Sequence, residues 1–140
     1  MQDYCETPIL NKRYNFINHL DHFAEGTTSK VYLVEDMKEQ QKAVVKYFKA
    51  GYIDYKEEMK ILQSISHPTC IRMIETCDDG TLVKPSGKVV RDINFIVTEY
   101  INGLDLLDFC KEIFGDEGMG ESFARFIMHQ ALDSLQYIHS

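Results

Sequence analysis

The sequence predicts an α+β fold in which an antiparallel sheet with one helix precedes a helical region. Two observations lead to this prediction. Segments rich in β-branched and aromatic residues dominate the first part of the chain, and apolar residues spaced three to four apart dominate its end. The predicted order is β-β-β-α-β-β followed by helices, which is typical of an antiparallel sheet rather than a parallel one.

Three strands are predicted before the first helix. Residues 16–23 roughly alternate apolar and polar side chains, as a half-buried strand does. A turn at 24–29 leads to a second strand at 30–35, and a polar segment then leads to a third strand at 43–48.

The first helix is predicted to begin at Asp54. Aspartate is a favoured N-cap residue, and Glu57 three positions later resembles a capping box. The apolar stripe of this helix is predicted to contain Met59, Ile61, Leu62 and Ile65. The step His67-Pro68 ends it, because the residue before a proline disfavours the helical conformation.

Two strands and two helices are predicted after this point. The strands lie at 71–76 and 94–99, and the Pro/Gly turn between them, flanked by β-branched residues, indicates an extended hairpin. A short helix is predicted at 105–114 and a longer one at 121–139. The apolar face of the longer helix contains Ala124, Ile127, Met128, Ala131, Leu135 and Ile138.

Charge and composition exclude several classes of protein. The chain has 15 Lys and Arg against 22 Asp and Glu, a net charge of −7, so a nucleic-acid partner is not expected. No apolar run approaches the ~20 residues that span a bilayer, and no secretory signal is evident, so we expect a cytoplasmic protein with reduced thiols and no membrane partner. His19 and His22 lack a third ligand nearby, and no metal site is predicted.

Three features together suggest a phosphate-binding site. A strand-turn-strand segment can direct backbone N–H groups at phosphate oxygens, and it needs a residue without Cβ where the backbone approaches closely. Gly26 fits that position. Lys46 on a neighbouring strand can contact phosphates as a fixed cation, and Glu58 on a packed helix can hold that lysine in place.

This set resembles the small lobe of the eukaryotic protein kinases. The Gly-rich loop of that family has the pattern G-x-G-x-x-G-x-V, and its strand lysine lies in V-A-I-K. When the loop is aligned on Val31, the three glycine positions fall on Ala24, Gly26 and Ser29, so the middle glycine is kept. Lys46 stands at the position of the strand lysine, at the separation from Val31 that the family has.

Further segments match in the order that the family has. Glu58 and the step His67-Pro68 resemble the helix glutamate and the His-Pro step that follows it. Residues 95–105 resemble the fifth strand, gatekeeper and hinge, and residues 124–140 resemble the first long helix of the large lobe. The resemblance covers residues 14–140, and six motifs in the right order make it specific.

The resemblance implies an ATP-binding cleft between two lobes. Catalytic roles fall on Lys46 and Glu58, which would hold the α- and β-phosphates. The adenine would lie among apolar side chains and pair with the backbone of Glu99 and Ile101, next to the gatekeeper Thr98. The residues implied in cofactor binding are Phe23, Ala24, Gly26, Ser29, Val31, Val44, Lys46, Thr98, Glu99, Ile101 and Asp105.

The resemblance also divides the chain into an N-terminal extension at 1–13, a small lobe of five strands and one helix that ends in the hinge at 14–101, and the start of the large lobe at 102–140. The His-Arg-Asp and Asp-Phe-Gly segments of the family would follow Ser140, so the catalytic base and the Mg²⁺ ligands are expected to be absent. We expect a fragment of an ATP-dependent serine/threonine kinase for a protein substrate, inactive alone. Its last helix is expected to need a large-lobe segment or a partner to cover it.

Each candidate residue also has an ordinary structural interpretation. Gly26 could be a turn glycine, Lys46 a surface lysine whose stem lies along the sheet, and Glu58 an acid favoured by the helix dipole. Thr98 alone is a good strand former. Asp105, which the resemblance places near the ribose or a basic substrate residue, could simply cap the next helix.

Two other functional hypotheses therefore stay open. The first is a kinase-like fragment that acts only as a nucleotide-binding or protein-binding module. The second is an unrelated α+β interaction domain in which the motif matches are coincidental. That last hypothesis predicts that Lys46→Ala leaves every ligand interaction unchanged.

Overall fold

The computed structural model describes residues 7–17 and 24–140. Most of the predicted strand at 16–23, together with Phe23, His19 and His22, lies outside these residues. The chain divides into two compact units. The sheet unit consists of Met1–Ser64 and Arg72–Tyr100, and the helical unit consists of Ile65–Ile71 and Ile101–Ser140.

The sheet unit is built on an antiparallel sheet. Its strands in the described part of the chain are β1 (Ile9–Leu10), β2 (Tyr14–Phe16), β3 (Ala24–Glu25), β4 (Ser29–Asp36), β5 (Gln41–Phe48), β6 (Met73–Val83) and β7 (Val89–Glu99). Their order is β2-β1-β6-β7-β5-β4-β3, and every pairing is antiparallel. The predicted α+β class with an antiparallel sheet is confirmed.

The sheet has seven strands in this part of the chain instead of the predicted five. The strand β1 has only two residues, and it exists because it pairs with β2 on one side and with β6 on the other. The short strands β2 and β3 both pair with β4, β2 with its last residues and β3 with its first residues. Such long-range pairings leave almost no local pattern in the sequence.

The hairpin of β6 and β7 is longer than the two predicted strands. Each strand has 11 residues, and the predicted Pro/Gly turn connects them. Gly87 has a φ of +83°, a conformation that favours glycine, and its N–H donates to the Lys84 carbonyl at 2.9 Å. Register shifts near Glu75 and Gly80 mark bulges in β6.

Apolar side chains cover both faces of the sheet. The back face carries the larger cluster, formed by Leu10, Tyr14, Phe16, Val34, Ala43, Val45, Ile93, Phe95 and Val97. The front face carries Phe48, Met59 and Ile96, and here the helix α1 (Tyr55–Ser64) packs on the sheet. Because residues of one strand alternate between faces, Val45 and Lys46 lie on opposite sides of β5.

The helix α1 differs from its prediction in two respects. It ends at Ser64, before the step His67-Pro68 that was expected to end it. Met59 is buried and Leu62 is half-buried, as the apolar stripe requires, but Ile61 is 51% exposed. Ile61 therefore lies outside the packed face.

A buried carboxylate fixes the segment before β2 to the end of β4. Asp36 is completely buried and accepts hydrogen bonds from Nε and Nη2 of Arg13 at 2.9 and 2.8 Å, and from the Lys38 N–H at 3.1 Å. The hydrogen bonds from Arg13 hold the pKa of Asp36 below its ordinary value of 3.8, against the opposing effect of burial. Nearby, the Tyr14 hydroxyl donates to Glu75, and burial followed by this carboxylate raises the pKa of the phenol.

The helical unit contains α2 (Leu106–Phe114), a 3₁₀ turn at Gly115–Glu117 and α3 (Gly120–Ile138), close to the predicted bounds. Phe109 stacks on Phe123 with ring centroids 5.7 Å apart, which joins α2 to α3. No residue of α3 is buried, and Leu135 and Ile138 of its predicted apolar face are about half exposed. Across the described ranges, no helix combines the length and apolar character needed to cross a bilayer.

Candidate functional site

Lys46 lies at the centre of the front face. Its position on β5 is directly opposite Val31 on β4 and Ile96 on β7, so the three side chains share one face of the sheet. Phe48, two residues along the strand, lies on the same side, and the Lys46 ammonium is 5.5 Å from the centre of its ring. The lysine stem is thus surrounded by apolar side chains while its charged end is free to meet a polar partner.

Glu58 is that partner. The Lys46 Nζ donates a hydrogen bond to the Glu58 Oε1, and the two groups form an ion pair. The packing of Met59 and Phe48 in the front cluster positions the first turn of α1 over the strand, which brings the carboxylate to the ammonium. The two side chains are 33% and 29% exposed, so both charged groups are open to solvent.

The hairpin around Gly26 is closed by its own backbone. Ala24 and Glu25 pair with Val31 and Lys30, and the Gly26 N–H donates to the Ser29 carbonyl at 2.9 Å. A Cβ added at Gly26 would meet only the Ser29 carbonyl oxygen, at 3.9 Å. The fold itself therefore does not require glycine at this position, and a requirement could come only from a ligand.

Three of the other predicted residues share the face of Lys46. Val44 is opposite Thr98, two positions from Lys46 along β5, and both side chains are half-buried. Ser29 is opposite Phe48, where it is only 6% exposed. The structure thus brings Val44, Thr98 and Ser29 together with Lys46 on one apolar surface, although the Ser29 hydroxyl is largely covered.

The contacts found for the remaining predicted residues do not bring them to the face of Lys46. Glu99 ends β7, where its carboxylate accepts from the Arg72 N–H at 2.8 Å and its own N–H donates to the Arg72 carbonyl at 3.0 Å. Ile101 belongs to the helical unit and is 62% exposed. Asp105 is the N-cap of α2, since its carboxylate accepts from the Asp108 N–H at 2.8 Å. Phe23 lies outside the described residues.

Two residues were missed by the sequence analysis. Phe48 contacts the Lys46 ammonium, and its position two residues after the lysine on one strand was a usable signal. Lys49 binds the hairpin, because its Nζ donates to the Gly26 carbonyl at 2.9 Å and to the Glu25 carboxylate at 2.7 Å. No local pattern indicates the contact between Lys49 and the Gly26 carbonyl, since 23 residues separate them in the sequence.

This arrangement is chemically suited to an anion beside an apolar surface. An ammonium held by a carboxylate is fixed in position before any ligand arrives, and the side chains of Val31, Val44 and Thr98 lie beside it on the same face. Within residues 7–17 and 24–140, no group of three or more His, Cys, Asp or Glu side chains could hold a metal ion.

Comparisons with known proteins identify relatives that cover most of the chain. Residues 17–140 match the protein kinase domain family. The chain is 28% identical to CBL-interacting serine/threonine-protein kinase 8 of Arabidopsis thaliana, over 83% of this chain and 24% of that kinase. It is 32% and 33% identical to myosin-IIIa of Mus musculus and Homo sapiens, in each case over 95% of this chain and 9% of the myosin.

A solved structure of similar fold is that of Rad53 residues 1–466 in complex with AMP-PNP. It has a TM-score of 0.70 and 23% sequence identity, and the match covers 96% of this chain and 32% of the Rad53 chain. The chain therefore spans about a third or less of each protein to which it is similar. Because the family match extends over most of the sequence and agrees with the observed sheet and helices, the chain belongs to the protein kinase domain family.

Proposed function

We propose that this chain is the ATP-binding half of a serine/threonine-directed protein kinase domain. The observation that carries the proposal is the ion pair of Lys46 and Glu58 on the front face of the sheet. A positioned ammonium beside an apolar surface suits a ligand that combines a polyphosphate with a flat base. Lys46 would contact the α- and β-phosphates, and Glu58 would hold it there.

The surrounding residues support this assignment. Val31 and Val44 lie on the face of Lys46 and would cover the adenine next to the gatekeeper Thr98, while Gly26 leaves room for a phosphate beside the hairpin. Glu99 and Ile101 would contribute backbone groups to the adenine edge. The Rad53 structure of similar fold contains AMP-PNP, and the plant relative is named a serine/threonine-protein kinase, which favours ATP as ligand and a protein hydroxyl as acceptor.

We further propose that these 140 residues bind ATP without transferring its phosphoryl group. They contain neither a His-Arg-Asp nor an Asp-Phe-Gly segment, from which the family takes its catalytic base and magnesium ligand. The described residues offer no magnesium site of their own, so Mg²⁺ would arrive with the triphosphate.

ATP binding is tested by titrating the 140-residue chain with a fluorescent ATP analogue and Mg²⁺. We expect Lys46→Ala to weaken binding at least tenfold. Lys38→Ala, which removes the same charge from an exposed site between β4 and β5, should leave it unchanged. Equal binding by wild type and Lys46→Ala would contradict the proposed site and favour an unrelated interaction domain.

A second candidate function is a kinase-like module that binds nucleotide or protein and has no catalytic partner segment. The observation in its favour is the replacement of two loop glycines by Ala24 and Ser29, since each adds a Cβ near the phosphates. An assay of Mg²⁺-dependent phosphorylation by the 140-residue chain addresses the predicted inactivity. Measurable phosphoryl transfer that Lys46→Ala abolishes would show that this prediction is wrong.

A further inference from the structure

A cavity of about 550 Å³ opens on the back face of the sheet, away from Lys46. Its floor is formed by buried side chains of the back cluster, namely Leu10, Phe16 and Ile93. A volume of this size is typical of sites for small molecules, which range over about 300–1,000 Å³. All of the described residues that line it belong to the sheet unit.

Two pairs of strands form its walls. On one side, Tyr47 of β5 lies opposite Lys30 of β4, and the Tyr32 ring packs on Phe16 with centroids 4.9 Å apart. On the other side stand Leu82 and Val90, which are paired across the β6–β7 hairpin. The interior is therefore apolar, with three aromatic rings among aliphatic side chains, and burial of a hydrocarbon against it is favourable.

The mouth of the cavity is positively charged. Lys30, Lys49 and Lys84 line it, and among the described residues that line it only Glu25 carries a carboxylate. Glu25 pairs with Lys49 at 2.7 Å, and the Lys30 ammonium is 3.9 Å from the same carboxylate. No carboxylate of the described ranges lies within ion-pair distance of Lys84.

This excess of cations is local. The chain as a whole has a net charge of −7, so three lysines around one apolar cavity stand out against an acidic surface. One carboxylate leaves an unbalanced positive charge at the mouth, which favours an anion over a neutral or cationic ligand. The apolar interior excludes a small hydrated anion as the complete ligand, because such an ion would leave the aromatic walls exposed to water.

We propose that this back cavity binds a small amphipathic carboxylate, an alkyl or aromatic chain with one anionic end. The hydrocarbon would lie on Phe16 and Ile93 between Tyr32 and Val90, and the carboxylate would meet the ammonium groups at the mouth. Among residues 7–17 and 24–140, Lys84 has no carboxylate within ion-pair distance and would make this contact, while the Lys30 ammonium is 3.9 Å from Glu25. The site is separate from the proposed nucleotide site and does not depend on it.

Lys49 connects the cavity to the hairpin around Gly26. Lys49, which lines the mouth, also donates to the Gly26 carbonyl in the hairpin proposed to cover the phosphates. A carboxylate that competes with Glu25 for Lys49 would change the contacts that hold this hairpin.

The test is calorimetric titration of the 140-residue chain with decanoate below its micellar concentration, compared with decanol. Decanoate should bind at least fivefold more tightly than decanol, because the chains are equal and only the charge differs. Lys30→Ala and Lys84→Ala should each weaken decanoate roughly three- to fivefold, in the range of a partly exposed ion pair, without changing decanol. Lys38→Ala is the matched control and should change neither.

A second variant locates the ligand. Val90→Trp would fill the cavity from its wall and should abolish binding of both compounds, while circular dichroism confirms the fold. Equal affinities for decanoate and decanol, binding that survives Val90→Trp in a folded chain, or an unchanged affinity in Lys84→Ala would each overturn the proposal. Decanoate binding that appears only after removal of residues 1–6 would also overturn the proposal, because that segment would then be the occupant of the cavity. So would a dimer of the chain that decanoate dissociates, because the occupant would then be a second copy of the chain.

Discussion

Lys46 on β5 and Glu58 on α1 form an ion pair although they belong to different elements and lie 12 residues apart in the sequence. The strand fixes the lysine on the front face, and the packing of Met59 on Phe48 and Ile96 fixes the helix. Glu58 occupies the first turn of α1, where the helix dipole also favours a carboxylate. The pair is therefore set up by the packing of the small front cluster.

Glu58→Gln should separate the functional role of this pair from its structural role. Without the carboxylate, Lys46 keeps its charge but loses the contact that fixes its position, so we expect binding of the fluorescent ATP analogue to weaken about three- to tenfold. The cost in stability should stay below about 1 kcal/mol, because both groups are about one-third exposed. Glu57→Gln, an exposed neighbour in the same helical turn, is the matched control.

The comparison of these two variants is decisive. If Glu58→Gln and Glu57→Gln bind the analogue equally well, Glu58 does not hold Lys46 for a ligand. The ordinary interpretation of Glu58, an acid favoured at a helix N-terminus, would then be sufficient.

Gly26→Ala should report on a ligand and not on the fold. A Cβ at this position meets only one oxygen at 3.9 Å, so the unfolding free energy should stay the same or rise by up to about 1 kcal/mol. Binding of the ATP analogue should weaken several-fold if the backbone lies close to the phosphates. Gly103→Ala, where an added Cβ meets nothing within 4 Å, is the control for the unfolding free energy. Unchanged binding of the ATP analogue in Gly26→Ala would remove Gly26 from the site.

The elements that carry the site were predictable because their signals are local. Segments rich in β-branched and aromatic residues identified β4 and β5 within one or two positions, and in the structure Lys46 lies directly opposite Val31. A long amphipathic pattern likewise predicted α3. In each case the prediction depended on neighbours within one element or on the turn between two strands.

The parts that were not predicted depend on contacts distant in sequence. The strand β1 exists through its pairing with Leu82 and Val83, and Asp36, expected in a polar turn, is buried against Arg13. Ile61 fitted the periodic pattern of α1 but lies on its exposed side, because the sheet contacts a narrower face of the helix than the pattern suggested. These outcomes depend on how the elements pack against one another, and the periodicity of the sequence alone does not predict that packing.

Gly80→Ala should destabilise the sheet unit. Gly80 lies at a bulge in β6, and a Cβ there would approach the ring of the fully buried Phe95 to 2.5 Å and the Ile93 carbonyl oxygen to 3.0 Å. Overpacking of this kind typically costs 1–3 kcal/mol, so we expect a loss of about 2 kcal/mol in urea unfolding. Gly103→Ala again provides the control, and equal midpoints for the two variants would contradict the close contact.

Asp105→Ala should distinguish capping from ligand binding. The Asp105 carboxylate accepts a hydrogen bond from the Asp108 N–H, so its loss should cost about 1 kcal/mol of stability through fraying of α2. Asp105→Ser keeps an N-cap but removes the charge, and it should restore most of the stability. If Asp105→Ser also keeps full affinity for the ATP analogue, the acid has no role at the ribose and acts only as a cap.

The Arg13–Asp36 pair should make stability fall in acid. The folded state holds the pKa of Asp36 below its ordinary value of 3.8, whereas the unfolded chain protonates near that value. The stabilisation is therefore complete above about pH 4 and is lost as the pH falls through the lower, folded-state pKa. Asp36→Asn should cost about 3 kcal/mol at pH 7, since it leaves the guanidinium without its buried partner, and should flatten the acid limb of the unfolding curve. Asp116→Asn, at an exposed site in the helical unit, is the control and should change neither the stability at pH 7 nor the acid limb. If the unfolding curves of wild type and Asp36→Asn run parallel below pH 4, the Asp36 carboxylate does not control stability in acid.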